Sequence, residues 1–171
     1  MGILSSLFGK KEQAKPAAVK QSTPAGETKT VRHKVAGTSF RQAEIKAMGK
    51  KNPDFALTKA ELFKRGLAEV YEYTFWPVKA QLIPEPENPE DPNAIKVLID
   101  GVHVGYIKAG SCAHIHKLLR ENRIEKIEPQ IVGGKSKCMV TYDANAKRLD
   151  DYTLERDDSS FGVHLNITER K

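Results

Sequence analysis

From Pro84 to Asn93 the chain reads P-E-P-E-N-P-E-D-P-N, which sets Glu85, Glu87, Glu90 and Asp91 among four prolines. Carboxylates at this density could hold a divalent cation for phosphodiester hydrolysis. No lysine or histidine is spaced with them as a nuclease core, however. Prolines 84, 86, 89 and 92 lack an N–H and fix φ, so the segment is a rigid, turn-rich loop rather than a strand. Within such a loop, Asn88 and Asp91 either bond their own turn or meet a ligand. A second cluster is Cys112, His114 and His116. On a helix, Cys112 and His116 share a face, and a structural zinc would need Cys138 as a further ligand from a strand. The plainer reading is a buried thiol with exposed imidazoles. No phosphate-cradling glycine loop, nucleophile elbow or Ser/His/Asp set occurs. An ATPase is excluded for this chain alone. A non-enzymatic protein without cofactor or metal is expected.

The elements that must position the acidic loop are legible on either side of it. "AIKVLI" and "VHVGYI" flank Asp100-Gly101, the strongest short-range hairpin signal. Ile95, Val97 and Ile99 should face the core, and Val102, Val104 and Tyr106 should alternate on the other strand. Upstream, "VKAQLI" places Val78, Ala80 and Leu82 together, and "VYEYTFW" places Tyr71, Tyr73 and Phe75 on one side. Downstream, "GSCAHIHKLLREN" predicts a helix capped by Ser111, with Ile115, Leu118 and Leu119 on its buried stripe. Thr58 and Glu61 form a T-x-x-E capping box for a helix that Gly66 ends. "RQAEIKAMGK" predicts a short helix ending near Gly49. "TVRHKVAGTSF", "KIEPQIV", "KSKCMVTY" and "FGVHLNIT" read as strands, the middle two separated at Gly-Gly, with "DANAKRLDD" and "ERDDSS" as turns. The fold expected is mainly β with short helices (α+β): a small six-stranded, partly open β-barrel with two or three helices.

The chain has 171 residues, 39% hydrophobic and 29% charged, enough for one compact domain with a real core. Its formal net charge is +6, but residues 1–34 carry seven Lys/Arg against two Asp/Glu. The remainder is nearly neutral, so bulk attraction to polyanions belongs to the tail and the body must bind through a local pocket. Within the body, residues 101–137 carry seven bases against three acids. Lys108, Lys117, Arg120 and Arg123 there form a solvated face or a phosphate track. Residues 1–30 read as a flexible basic tail, with a linker over 10–29, and 31–171 as a single domain. The apolar "MGILSSLFGKK" reads as a frayed start, or as a segment lying on a membrane surface or a partner. It also satisfies M-G-x-x-x-[ST] through Gly2 and Ser6. No span of the roughly 20 apolar residues that a membrane helix needs is present, and a membrane is not an expected partner. Two cysteines without a framework point to reduced thiols and a cytoplasmic setting.

"VAGTSF" at 35–40, the N-P-x-D-x-N-A-I-x-V order from Asn88 to Val97, and "GVHVGYIKAG" at 101–110 with its following helix together resemble a HIRAN domain. The resemblance spans residues 31–142. Such domains are small barrels found alone in bacteria and phages, or fused to Swi/Snf-type helicase-like ATPases. The resemblance implies binding of DNA, single-stranded or at a free 3′ end, in replication, repair or phage DNA metabolism, with a helicase or repair protein as partner. It assigns a pocket to the segment after Gly37 (Ser39, Phe40, Arg41), the acidic loop (Asn88, Glu90, Asp91) and the strand after the hairpin turn (Tyr106, Lys108). A carboxylate such as Asp91 can accept from a terminal sugar hydroxyl and repel a phosphate in its place. Members that capture ends carry a basic residue and two adjacent aromatics after the first glycine. Here Phe40 is the lone aromatic, beside Ser39 and Arg41, and stacking is worth roughly 1–3 kcal/mol per base. Phe40 is either a stacking platform or a core aromatic. The alternatives to a DNA-binding module are a metal-dependent nuclease and a scaffold protein tethered by its N-terminus.

Overall fold

The computed structural model describes residues 26–171. The apolar start, the Gly2/Ser6 pattern and most of the expected linker lie outside the described residues. Nine strands and three α-helices follow in the order β1 (Thr28–Ala36), α1 (Gln42–Ala47), β2 (Lys50–Lys51), α2 (Lys59–Arg65), β3 (Glu69–Tyr71), β4 (Tyr73–Thr74), β5 (Ala80–Pro84), β6 (Ile95–Ile99), β7 (Val102–Ile107), α3 (Ala109–Arg120), β8 (Ile124–Val140) and β9 (Thr153–Arg170). The chain is thus mainly β within an α+β class, as its alternating patterns imply. β1 begins at Thr28, inside the segment read as tail, because Thr28–Lys34 pairs with β9.

Seven strands make one antiparallel sheet ordered β3-β8-β9-β1-β7-β6-β5, and β2 pairs with β4 separately. The expected count of six strands is corrected: the described residues form nine. The main sheet is open, since β5 approaches β8 without pairing to it. The strand count differs partly because "VYEYTFW" breaks at Glu72, whose N–H turns to Lys135 O at 2.8 Å. β8 runs unbroken through Gly133-Gly134, with a bulge between Val132 and Gly134. Both glycines have positive φ, and a side chain at either would overlap β9 at Ser160 or Phe161. "ERDDSS" is strand rather than turn, because residues 155–159 pair with 134–138.

The long β8–β9 ribbon carries two cores. One end joins β1, β6, β7, α1 and α3 around Ile95, Val97, Ile99, Ile115, Leu165 and Ile167, all essentially excluded from solvent. Each such side chain contributes about 1.5–3 kcal/mol by its burial. The other end packs Val70, Met139 and Leu154 against Leu62 of α2. There the buried Lys137 donates to Phe55 O and to Leu57 O, pinning the loop before α2. The Thr58/Glu61 capping box is present in full, and Gly66 ends α2 at φ 68°. α3 starts three residues earlier than a Ser111 cap implies. Lys108 occupies its N-cap with no side-chain bond, so Ser111 lies within the first turn rather than capping it.

Candidate nucleic-acid interface

The interface is built on the β6–β7 hairpin. Asp100 and Gly101 take φ 48° and 84°, the left-handed pair that a two-residue turn requires. Asp100 also accepts from the N–H groups of Val78 and Lys79, tying β5's entry to the turn. The strict alternation expected of Val102, Val104 and Tyr106 is interrupted. Opposite Val97 and Leu98 the register slips, pairing Val97 with Gly105 and Leu98 with His103. The extra residue sends Val104 and Ile107 into the core and leaves Tyr106 half-exposed on the other face.

Gly105 makes a second approach possible. Its φ is 147°, and a Cβ there would overlap Ala36 O and lie 2.8 Å from Val35 Cγ1. Only glycine lets β1 lie this close, with Val35 opposite Ile107 and Ala36 opposite Tyr106. Gly37 then turns the chain at φ 76° into a single 3-10 turn, Thr38–Arg41. The segment after the first glycine is therefore delivered beside Tyr106.

Between β5 and β6 the acidic loop is held by its own polar groups. Glu85 N–H donates to Ala94 O at 2.9 Å, closing the neck. Asn88 Oδ1 accepts from the N–H groups of Glu90 and Asp91 at 3.0 and 3.3 Å, and Asp91 Oδ1 accepts from Asn93 N–H at 2.8 Å. With Pro86, Pro89 and Pro92 contributing no donors, these bonds fix the loop before any ligand arrives. His116 of α3 bonds Asn93 O at 3.0 Å and anchors the far end.

Asn88, Glu90, Asp91, Ala94, Tyr106, Ile107 and Ala109 line one open cleft of about 280 Å³. Four of the eight residues expected at the site therefore converge. Lys108 is exposed and does not line the cleft, although its chain neighbours Ile107 and Ala109 do. Ser39, Phe40 and Arg41 do not line the cleft and occupy the adjoining 3-10 turn. Phe40 is 85% exposed, so it is no core residue. Arg41 bonds Glu44 at 3.3 Å. Burial, then the Arg41 charge, holds the His103 imidazole below its ordinary value. That ring meets Tyr106 edge-on at 5.0 Å between centroids.

Glu85, Lys96 and His103 belong to this polar belt, although the sequence did not mark the last two. Glu85 pairs with Lys96 and receives the Asn88 amide at 3.2 Å. Its carboxyl is held low chiefly by the bond from Lys96. One of the four acids that could have held a cation is thus already committed to an ammonium. The zinc grouping is dispersed as well. The Cys112 thiol donates to Ile107 O and is pushed up by burial, while His114 pairs with Glu169 at 3.2 Å. Among the described residues, no three His, Cys, Asp or Glu side chains are grouped to hold a metal, and no helix is long and apolar enough to cross a membrane.

The bulged hairpin and the rigid Asx-turn loop of an open antiparallel sheet thus frame the cleft. A HIRAN-domain family model matches residues 65–155, more than half of the chain, and the chain belongs to the HIRAN family. The family is one of DNA-binding modules, which supports nucleic-acid binding as the class of function. The match includes the acidic loop, the hairpin and α3, but not Ser39, Phe40 or Arg41. No curated protein and no solved structure matches the chain.

Proposed function

We infer that the chain is a non-enzymatic module that binds single-stranded DNA and holds a free 3′ end in the Asn88–Asp91 cleft. The observation carrying this reading is the convergence of Asn88, Glu90, Asp91 and Tyr106 on one cleft. A carboxylate has two acceptor oxygens, and Asp91 commits Oδ1 to its own loop. Oδ2 is the atom for a terminal 3′-hydroxyl. Tyr106 offers a ring to the last base, and Lys108 and Arg41 offer charge to the phosphates that follow. Phe40, fully presented beside the cleft, stacks the next base. A helicase or repair protein is the partner suited to such an end reader.

The test is fluorescence anisotropy of a 5′-labelled 12-nucleotide strand with the wild type, Asp91→Asn and Tyr106→Ala. Asp91→Asn keeps the acceptor that the loop uses and removes the charge. Loss of a hydrogen bond to a charged group is worth about 1.5–3 kcal/mol, a weakening of roughly ten- to a hundred-fold. Wild-type affinity in both variants removes the cleft from the site. Cleavage of the strand with Mg²⁺ or Mn²⁺ would replace the binding-module reading with a nuclease.

A further inference from the structure

The structure presents a second aromatic surface away from the cleft. Tyr71, Tyr73, Phe75, Trp76 and Ile131 line a separate hollow of about 270 Å³ beside β2 and β4. Trp76 is 67% exposed and Tyr71 38%, an expensive way to leave large rings in water. Lysines stand over these rings: Lys46 Nζ lies 5.1 Å from the Tyr73 centroid and Lys50 Nζ 6.0 Å from that of Trp76. Lys51 is next along β2, paired with Tyr73. Among the described residues no carboxylate lies within ion-pair distance of Lys46, Lys50 or Lys51. Lys46 also lines the neighbouring hollow with Glu72 and Asp158, but neither acid pairs with it, and Asp158 is taken by Lys135 at 3.6 Å.

Uncompensated ammoniums interleaved with exposed rings match a ligand carrying both flat faces and anions. A protein partner's apolar patch would leave the three charges unanswered, whereas a single strand supplies a base for each ring and a phosphate for each lysine. The two surfaces are joined by α1, whose first residue follows Arg41 and whose last is three residues before Lys50. A helix of this length spans about 9 Å. Gly49 sits against the Phe75 ring, with its missing Cβ 2.8 Å from Cε1, which locks β2 and its lysines onto the aromatic hairpin.

We propose that the Tyr71/Tyr73/Trp76 surface, with Lys46, Lys50 and Lys51, is a second single-stranded DNA subsite that takes the nucleotides upstream of the end held in the cleft. The strand runs from the cleft across Phe40 and Lys46 to Trp76. This extends the proposed function and rests on it. The subsite fixes a minimum ligand length and supplies salt-dependent affinity, while the cleft reads the end.

Trp76 is the chain's one tryptophan, so its emission reports this surface alone. The full-length protein is titrated with 5′-labelled oligothymidylates of 3 and 15 nucleotides, followed by label anisotropy and by Trp76 emission. The 15-mer is expected to quench Trp76, and the 3-mer to bind without quenching. Lys50→Ala/Lys51→Ala should weaken the 15-mer by on the order of ten-fold, leave the 3-mer unchanged, and flatten the log–log salt slope by about 0.7 per lysine. If the 15-mer binds by anisotropy while Trp76 stays silent and the double variant binds like wild type, the subsite is refuted and the cleft reading stands. If neither oligomer binds, the proposed function itself has failed. A Trp76 already blue-shifted and shielded from acrylamide before DNA is added would also overturn the proposal. That result would mean that the chain's own tail or a second copy covers the surface, and its concentration dependence would tell which.

Discussion

Gly105→Ala tests the geometry that brings the first-glycine segment to Tyr106. The added methyl would overlap Ala36 O, a backbone atom of a paired strand that cannot rotate away. A φ of 147° is strained for any residue with a side chain, at about 1–3 kcal/mol. Relief requires the end of β1 to leave β7 where Val35 faces Ile107 and Ala36 faces Tyr106. Each strand bond lost there removes a further 0.5–1.5 kcal/mol or so. Together the cost is about 2–5 kcal/mol, a large part of the roughly 5–15 kcal/mol a domain possesses. For a chain of this size the melting temperature should fall by roughly 5–20 °C. Gly110→Ala is the matched control. Nothing lies within 4 Å of its Cβ position in the first turn of α3, so it should be neutral or stabilising by up to about 1 kcal/mol. Thermal denaturation followed by circular dichroism measures both. A Gly105→Ala protein melting within about 2 °C of wild type would refute the claim that this contact positions the segment.

Other expectations follow from the core and the titrating groups. Ile115→Ala empties a fully buried position of α3 and should cost about 2–5 kcal/mol in urea denaturation; a cost below 1 kcal/mol would contradict its place in the core. His33 is held below its ordinary 6.5 by burial first and the His114 charge second, and His103 and His164 are lowered as well. The native state therefore favours the neutral rings, so this stability is whole above pH 6.5 and is lost as pH falls through the lower native values. Glu44, Glu61 and Glu85 are held below 4.5 and lose their contribution only as pH falls below that value. The melting temperature should thus hold from pH 8 to 7 and decline between 6.5 and 4.5, and a flat profile there would contradict the histidine assignment. The Cys112 thiol, buried and pushed up, should react with Ellman's reagent more slowly at pH 8 than the less buried Cys138. Faster reaction of Cys112 would show that the start of α3 opens.

The parts of the fold that the sequence announced are those set by local chemistry. Asp100-Gly101, the Thr58/Glu61 box and the proline-spaced loop each act within a few residues, and each is present as read. The strands misjudged are those decided by distant partners. Gly133-Gly134 and "ERDDSS" have turn composition, yet they face each other across β8 and β9, and only that pairing makes them strand. The plain alternation read for Val102, Val104 and Tyr106 is broken by a register shift; Gly105 inside a strand was the available sign of a close approach and a bulge. The cleft was legible to the extent that one loop and one strand build it. The position of Ser39, Phe40 and Arg41 depends on β1 meeting β7 some seventy residues away in sequence, which no local pattern encodes. The aromatic run 71–76 likewise showed its alternation but not its exposure.

The most direct test of end reading is a titration of one 5′-labelled 12-mer bearing either a 3′-hydroxyl or a 3′-phosphate, at two salt concentrations, with wild type and Asp91→Asn. The cleft as built predicts that the wild type prefers the hydroxyl by roughly ten-fold or more at both salts, and that Asp91→Asn narrows the gap by relieving repulsion of the phosphate. Equal affinity of the wild type for the two ends would contradict it, leaving a DNA-binding module that does not sense where the strand stops.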